Sequence, residues 1–213
     1  MFEARMQAAK RLSRYKQKNQ TPSVPERLLE TIQSRLEQGD SPASLLSVEQ
    51  LTSAAGISRG TFYDHYRDVS DLIFHLMEMV TQEIIQGAGA WLAYTTRPQQ
   101  QDFENGFRGM SAVFRKHRAI IATFNVLALT DQAAAQKYDA MVESVCERFR
   151  YSIAAARSEG LIIAGADAPV ADAVSWIIVM FFSRFALTQS DADFEITERS
   201  LLHICRSALF FQK

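Results

Sequence analysis

The side chains best suited to chemistry lie in one run, Ser47 to Leu72, reading SVEQLTSAAGISRGTFYDHYRDVSDL. Its hydroxyls, guanidinium, phenol and imidazole are separated by small residues, a set suited to donating and accepting hydrogen bonds at a close-approaching surface rather than to breaking covalent bonds. Signatures of catalysis are missing: there is no nucleophile elbow, no phosphate-cradling Gly-Lys loop and no histidine pair at metal-binding spacing. His65, His75, His117 and His203 are scattered, and His75 with Glu78 reads either as a ligand pair or as a surface contact one turn apart. Cys146 and Cys205 fall on apolar stripes and read as buried thiols rather than redox switches. The expectation is a protein that is not an enzyme and that uses neither metal nor cofactor.

The elements that position this run are helical. Leu28, Leu29, Ile32 and Leu36 recur at the spacing of one buried helical stripe. Ser23-Val-Pro-Glu26 is a capping box with proline in the first turn, and Gly39 and Pro42 mark the end. Ser47-Val-Glu-Gln50 opens a second helix, burying Val48, Leu51 and Ala55, that stops at Gly56, where a sharp turn favours positive φ. Ser58 caps a third helix to about Tyr66, and Asp68 caps a fourth with Leu72, Leu76 and Val80 inside. Two short helices joined by a tight glycine turn form the helix-turn-helix arrangement. Further stripes follow: Phe103 to Phe114, Ile120 to Ala128, Tyr138 to Ile153 (closed by Gly160), Val170 to Phe185 and Ile196 to Leu209. The fold class expected is all-α, with an N-terminal three-helix domain, a C-terminal helical bundle and about nine helices.

Composition bounds the rest. The chain has 213 residues, 47% of them hydrophobic and 22% charged, a globular profile that excludes a disordered chain. Two cysteines are too few for a disulfide-stapled secreted scaffold, no charged-then-apolar leader is seen, and the longest unbroken apolar run is Trp176 to Phe182. A cytoplasmic protein without a membrane span is expected. The net charge of −1 argues against a phosphate partner until its distribution is seen. Residues 1–20 carry Arg5, Lys10, Arg11, Arg14, Lys16 and Lys18 against Glu3 alone. This arm is either a DNA-binding footprint or a solvated tail.

The run from Ser47 to Leu72 closely resembles the DNA-binding region of TetR-type transcriptional regulators. The matching residues are Ala55-Gly56-Ile57-Ser58, Gly60-Thr61-Phe62-Tyr63, His65-Tyr66 and Asp71-Leu72, within a resemblance spanning Glu26 to about Leu76. It implies double-stranded DNA as a partner, with Ser47, Ser58, Arg59, Gly60, Thr61, Tyr63, His65 and Arg67 at the contact. The residue types fit a recognition helix entering a major groove. Gly60 lets the backbone approach, Arg59 reaches guanine or phosphate, Thr61 offers a hydroxyl or a methyl, and Tyr63 and His65 flank the groove. Two departures stand out: Val69 replaces a lysine common near the start of the fourth helix, and Asp64 would repel phosphate. Arg67 is the nearby replacement cation.

The resemblance further implies three parts: a basic arm (1–22), a helix-turn-helix domain (23–70), and a ligand-binding and dimerisation domain (71–213). The homodimer contact is expected on the last two helices, through Phe181, Phe182, Phe185, Leu201, Ile204 and Ala208. Phe107, Met110, Phe114, Phe124, Tyr151, Trp176 and Met180, with Asn125 or Thr123 as polar contact, either line a cavity for a small, mostly hydrophobic ligand or are simple core. The resulting expectation is a ligand-responsive regulator, a repressor, binding palindromic DNA as a dimer. The alternative is an architectural or cell-cycle DNA binder of the same fold with no small-molecule ligand, and after it a helical enzyme.

Overall fold

The computed structural model describes residues 22–45, 47–94, 97–163, 165 and 167–210. The basic arm therefore lies outside the described residues, apart from Pro22. Among the described residues nine α-helices follow one another without a strand, and the one β-type pairing is an isolated bridge between Ile162 and Phe210.

Helix α1, Val24–Glu37, starts at a capping box in which the Ser23 amide donates to the Glu26 carboxylate at 2.8 Å, and buries Leu28 and Ile32. A 3₁₀ turn, Pro42–Leu45, leads to α2, Val48–Ala55, which begins at an N-cap on Ser47 and closes at Gly56 in the left-handed region, φ 62°. α3, Arg59–Tyr63, is capped by Ser58. It is shorter than the expected run to Tyr66. The amides of His65 and Tyr66 both turn onto the Phe62 carbonyl, at 3.0 and 2.9 Å, and this tightened turn ends the ladder. α4, Val69–Gly87, starts where Asp68 accepts from the Asp71 amide at 2.8 Å.

The remaining helices are α5 (Gln100–Lys116), α6 (Arg118–Thr130), α7 (Gln132–Ser158), α8 (Ala168–Thr188) and α9 (Asp191–Leu209). α7 begins well before Tyr138 because Asp131 caps it, accepting from the Ala134 amide, and α9 begins at a Ser190 cap. A 3₁₀ turn after α4, Gly89–Leu92, inserts Trp91 into the core against Phe103, Phe149 and Phe210, with ring centroids 5.1, 6.4 and 6.0 Å apart. A second aromatic cluster centres on Phe182, which meets Phe107, Phe114 and Phe194. α8 is long and apolar enough by composition to cross a membrane, with mean hydropathy 1.4 over Ala168–Phe185. Its sequence serves the bundle instead: Val174, Ser175, Ile178, Val179, Phe182 and Ser183 are buried within the chain, and Asp172 pairs with Arg150 of α7.

Two features tie the parts together. α4 and α5 cross so closely that a methyl on Gly109 would fall 1.9 Å from the Gly87 carbonyl oxygen. At the α5–α6 corner the buried His117 joins three helices. Gln33 of α1 donates to the Lys116 carbonyl (3.1 Å) and approaches His117 Nδ1 (3.4 Å), while His117 Nε2 faces Glu83 of α4 at 3.0 Å.

Candidate nucleic-acid interface and internal cavity

Ser58 is fixed by its cap: its hydroxyl accepts from the Thr61 amide at 2.9 Å and meets the Thr61 hydroxyl at 2.8 Å. Arg59 and Gly60 follow on the first, exposed turn of α3. One turn on from Arg59, and hence on the same face, stands Tyr63, 51% exposed. Phe62 is fully buried and meets the Tyr63 ring edge-on at 5.5 Å, so the core holds the helix from behind while its other side faces outward. His65 and Arg67 are exposed beyond the helix end, and Thr61 is half-buried. Ser47 is half-buried at the start of α2, its hydroxyl accepting from the Gln50 amide at 3.5 Å.

The electrostatics are lean. Residues 22–71 hold four basic side chains against eight acidic ones. Arg35 pairs with Asp40, and Arg27 turns inward, so Arg59 and Arg67 are the arginines left at the exposed face. Arg67 keeps a loose ion pair with Asp71 at 3.5 Å with its side chain 85% exposed, a kind of contact worth little in water. The Arg67 amide, donating to Asp71, holds that carboxyl below the usual range. Asp64 is exposed at the end of α3, and Val69 is buried as the first residue of α4. A lysine at position 69 would have to leave the core.

Arg27 is a functional support that sequence reasoning missed. Its guanidinium donates to the carbonyls of Ala55 (2.6 Å) and Gly56 (2.9 Å), clamping the turn between α2 and α3. Tyr66 also acts behind the interface, its phenol 3.0 Å from His75 Nδ1. His75 is thus engaged away from Glu78, which instead lies 3.7 Å from Lys137. Among the described residues no cluster of histidine, cysteine or carboxylate could hold a metal. Cys146 and Cys205 are buried, and burial pushes the Cys205 thiol up to about 12.

Between α4, α5, α6, α7 and α8 lies a small, partly open cavity of about 40 Å³ without a charged residue in its wall. Of the expected pocket residues, Phe114, Phe124 and Asn125 line it. Phe107 and Met110 do not: both are buried further along α5, where Phe107 packs on Phe182 at 5.1 Å. Only the end of the α5 stripe reaches the cavity. Thr123 is buried and donates to its own helix at Ala119. Tyr151 is exposed and sits edge-on to Tyr94 at 5.0 Å, while Trp176 and Met180 line an outer groove between α6, α7 and α8. The rest of the cavity wall, including Met77, Thr81, Tyr138, Met141 and Ser183, carried no periodic signal distinguishing it from core.

On the last two helices Phe181 and Phe185 are half-buried with centroids 4.5 Å apart, Ala208 is half-buried, and Ile204 is 57% exposed. Phe182 and Leu201 correct the expectation: both are buried in the chain's own core and have no surface left for a partner. Ile177 and Ile196, members of the apolar stripes but not among the expected contact residues, are exposed and extend the apolar faces of α8 and α9.

No family model and no curated protein matches the chain. Solved structures do. The chain is similar to the TetR family transcriptional regulator PfmR from Thermus thermophilus, with TM-score 0.66, 15% identity, and 84% of this chain and 97% of that one covered. A TetR-family regulator from Syntrophomonas wolfei gives TM-score 0.66 and 15% identity over 86% and 93% of the two chains. SmeT, the repressor of the Stenotrophomonas maltophilia multidrug efflux pump SmeDEF, gives 0.65 and 16% over 89% and 92%. The fold is that of the TetR-family regulators.

Proposed function

We propose that this chain is a transcriptional regulator of the TetR type, a cytoplasmic homodimer that binds palindromic DNA and is released by a small effector. The observation that carries the DNA-binding reading is α3. A short helix presents Arg59, Gly60 and Tyr63 outward, is pinned from behind by Phe62, and is held at its entrance by the Ser58 cap and the Arg27 clamp. Small groups at the leading turn let the helix enter a groove about 12 Å wide, and the flanking Tyr63, His65 and Arg67 can donate to phosphates. Dimerisation is supported by the exposed Ile177 of α8, in one row with the half-buried Phe181 and Phe185 at a spacing of four, and by the exposed Ile196 and Ile204 of α9. A two-fold pair of reading heads matches two half-sites of a palindrome.

The outer groove of about 580 Å³ supports effector control, because it shares Asn125, Tyr138 and Ser183 with a cavity of about 40 Å³ that α4 bounds. The first residue of α4 follows on the helix-turn-helix, so an occupant of the groove that favours one arrangement of the shared wall and of α4 shifts the separation of the two α3 helices.

The test is selection of specific sites from a random duplex pool, followed by anisotropy titration against salt. Thr61→Ala with Tyr63→Ala is expected to weaken specific binding at least tenfold while the dimer persists. Removing residues 1–20 is expected to flatten the salt dependence. Selection that enriches no sequence, or enrichment that survives the double substitution, would refute the reading.

A further inference from the structure

The cavity wall facing the outer groove has its own chemistry. Asn125, Tyr138 and Ser183 each line both the cavity and the groove, so one layer of side chains separates the two spaces. These three are uncharged hydrogen-bonding groups. Asn125 is half-buried and Ser183 is 7% exposed. The Tyr138 phenol donates to the Met180 thioether at 3.5 Å, a weak acceptor. Burial pushes that phenol up, with a smaller push from Asp139, so it stays protonated and able to donate.

The groove is sized for a ligand. Its volume is about 580 Å³, inside the range of small-molecule sites, and Ala122, Val126, Leu129, Trp176 and Met180 give it an apolar lining. Its two charged residues, Asp139 and Arg184, are of opposite sign. Lys137 is set over the Phe74 ring at 4.4 Å and lies 3.7 Å from Glu78, facing the separate α4–α7 groove. Neither space offers a net charge to an ionic ligand, while the shared wall offers a carboxamide, a hydroxyl and a phenol within one patch.

We propose that Asn125, Ser183 and Tyr138 read the polar end of an uncharged amphipathic effector, an apolar chain ending in a hydroxyl, carbonyl or amide. Its body lies along the α6–α8 groove, and its polar end replaces the Met180 thioether as the partner of Tyr138. This inference rests on the effector-controlled reading above and names the class of effector.

The experiment uses three probes of one chain length, 1-octanol, octanoate and octylammonium, titrated into the full-length dimer at neutral pH. The readout is fluorescence of Trp176, which lines the groove, with Trp176→Phe identifying its signal against the buried Trp91. Octanol is expected to saturate, and the two ions to bind at least tenfold more weakly. Asn125→Leu and Ser183→Ala are each expected to weaken octanol by roughly three- to tenfold, the loss of one neutral hydrogen bond. Equal or tighter binding of either ion overturns the proposal, as does octanol binding that ignores both substitutions. The charge series on the unaltered chain decides the matter even where a variant fails to fold. Trp176 already shielded from acrylamide in the ligand-free dimer would mean that a second copy covers the groove, which also overturns it. Release of operator DNA is scored separately. Selective octanol binding without release defeats the regulatory reading alone, whereas release by probes indifferent to both substitutions defeats this inference alone.

Discussion

Gly60→Ala separates the demands of folding from those of DNA approach, because the two act on this position in opposite directions. Gly60 is the second residue of α3 and has no positive φ. A methyl built there would lie 3.5 Å from the Ser58 hydroxyl, ordinary van der Waals contact, with no other atom within 4 Å besides its chain neighbours and its own helix backbone. The folded chain therefore has room for it. Alanine in place of a helical glycine is worth up to about 1 kcal/mol, chiefly because the unfolded backbone loses freedom. For a chain of this length that is a rise of roughly 1–4 °C in Tm. The same methyl projects from the exposed leading turn, where α3 would meet the floor of a groove. Specific affinity should fall at least tenfold, about 1.4 kcal/mol, while the non-specific, salt-driven component stays unchanged. Thermal melts and anisotropy titrations on the selected site and on scrambled DNA measure both. A lowered Tm would refute the packing argument. A raised Tm with undiminished specific affinity would show that α3 does not enter the groove by this turn.

Arg27→Ala removes two charge-assisted hydrogen bonds from the α2–α3 turn, and a loss of about 1.5–3 kcal/mol in urea unfolding is expected, with DNA affinity falling alongside. Gly109→Ala forces a methyl into the Gly87 carbonyl, so at least about 1–3 kcal/mol of stability should be lost, readable as a drop in Tm. Burial pushes the Glu83 carboxyl up, but hydrogen bonds from Lys116 and His117 outweigh that and leave it below its ordinary value of 4.5. Its stabilising share is therefore complete above that value and lost as pH falls below it, and Glu83→Gln should make the acid limb of a stability–pH curve shallower.

The helix starts were legible because caps are local. Ser23, Ser47, Ser58 and Asp68 each satisfy an amide three residues away, and the sequence carries both partners side by side. Gly56 was legible for the same reason, since its left-handed turn is a property of one residue. The outward presentation of Arg59 and Tyr63 followed from their spacing on one helix. Arg27 was not legible, because its partners are carbonyls 28 and 29 residues away, and a carbonyl leaves no mark in a sequence. The cavity was only partly legible. Phe107 and Phe114 share one apolar stripe, yet only the latter reaches the void, because where five helices fail to close depends on their crossings and not on any one stripe. Phe182 misled for a related reason: an apolar residue on a thoroughly apolar helix gives no sign of which neighbour it faces.

The contact between Gly87 and Gly109 gives α4 a fulcrum. Backbone meets backbone there with no side chain to compress, and the Glu83–His117 contact holds the same end one turn earlier. The arm of the lever, from Gly87 back to Val69, is about 27 Å long at the rise of an α-helix. A tilt of only about 5° about the fulcrum displaces the far end by roughly 2 Å. In the proposed dimer that displacement would be doubled across the two-fold axis, so a small opening of the bundle would suffice to take two reading helices out of step with successive turns of a duplex.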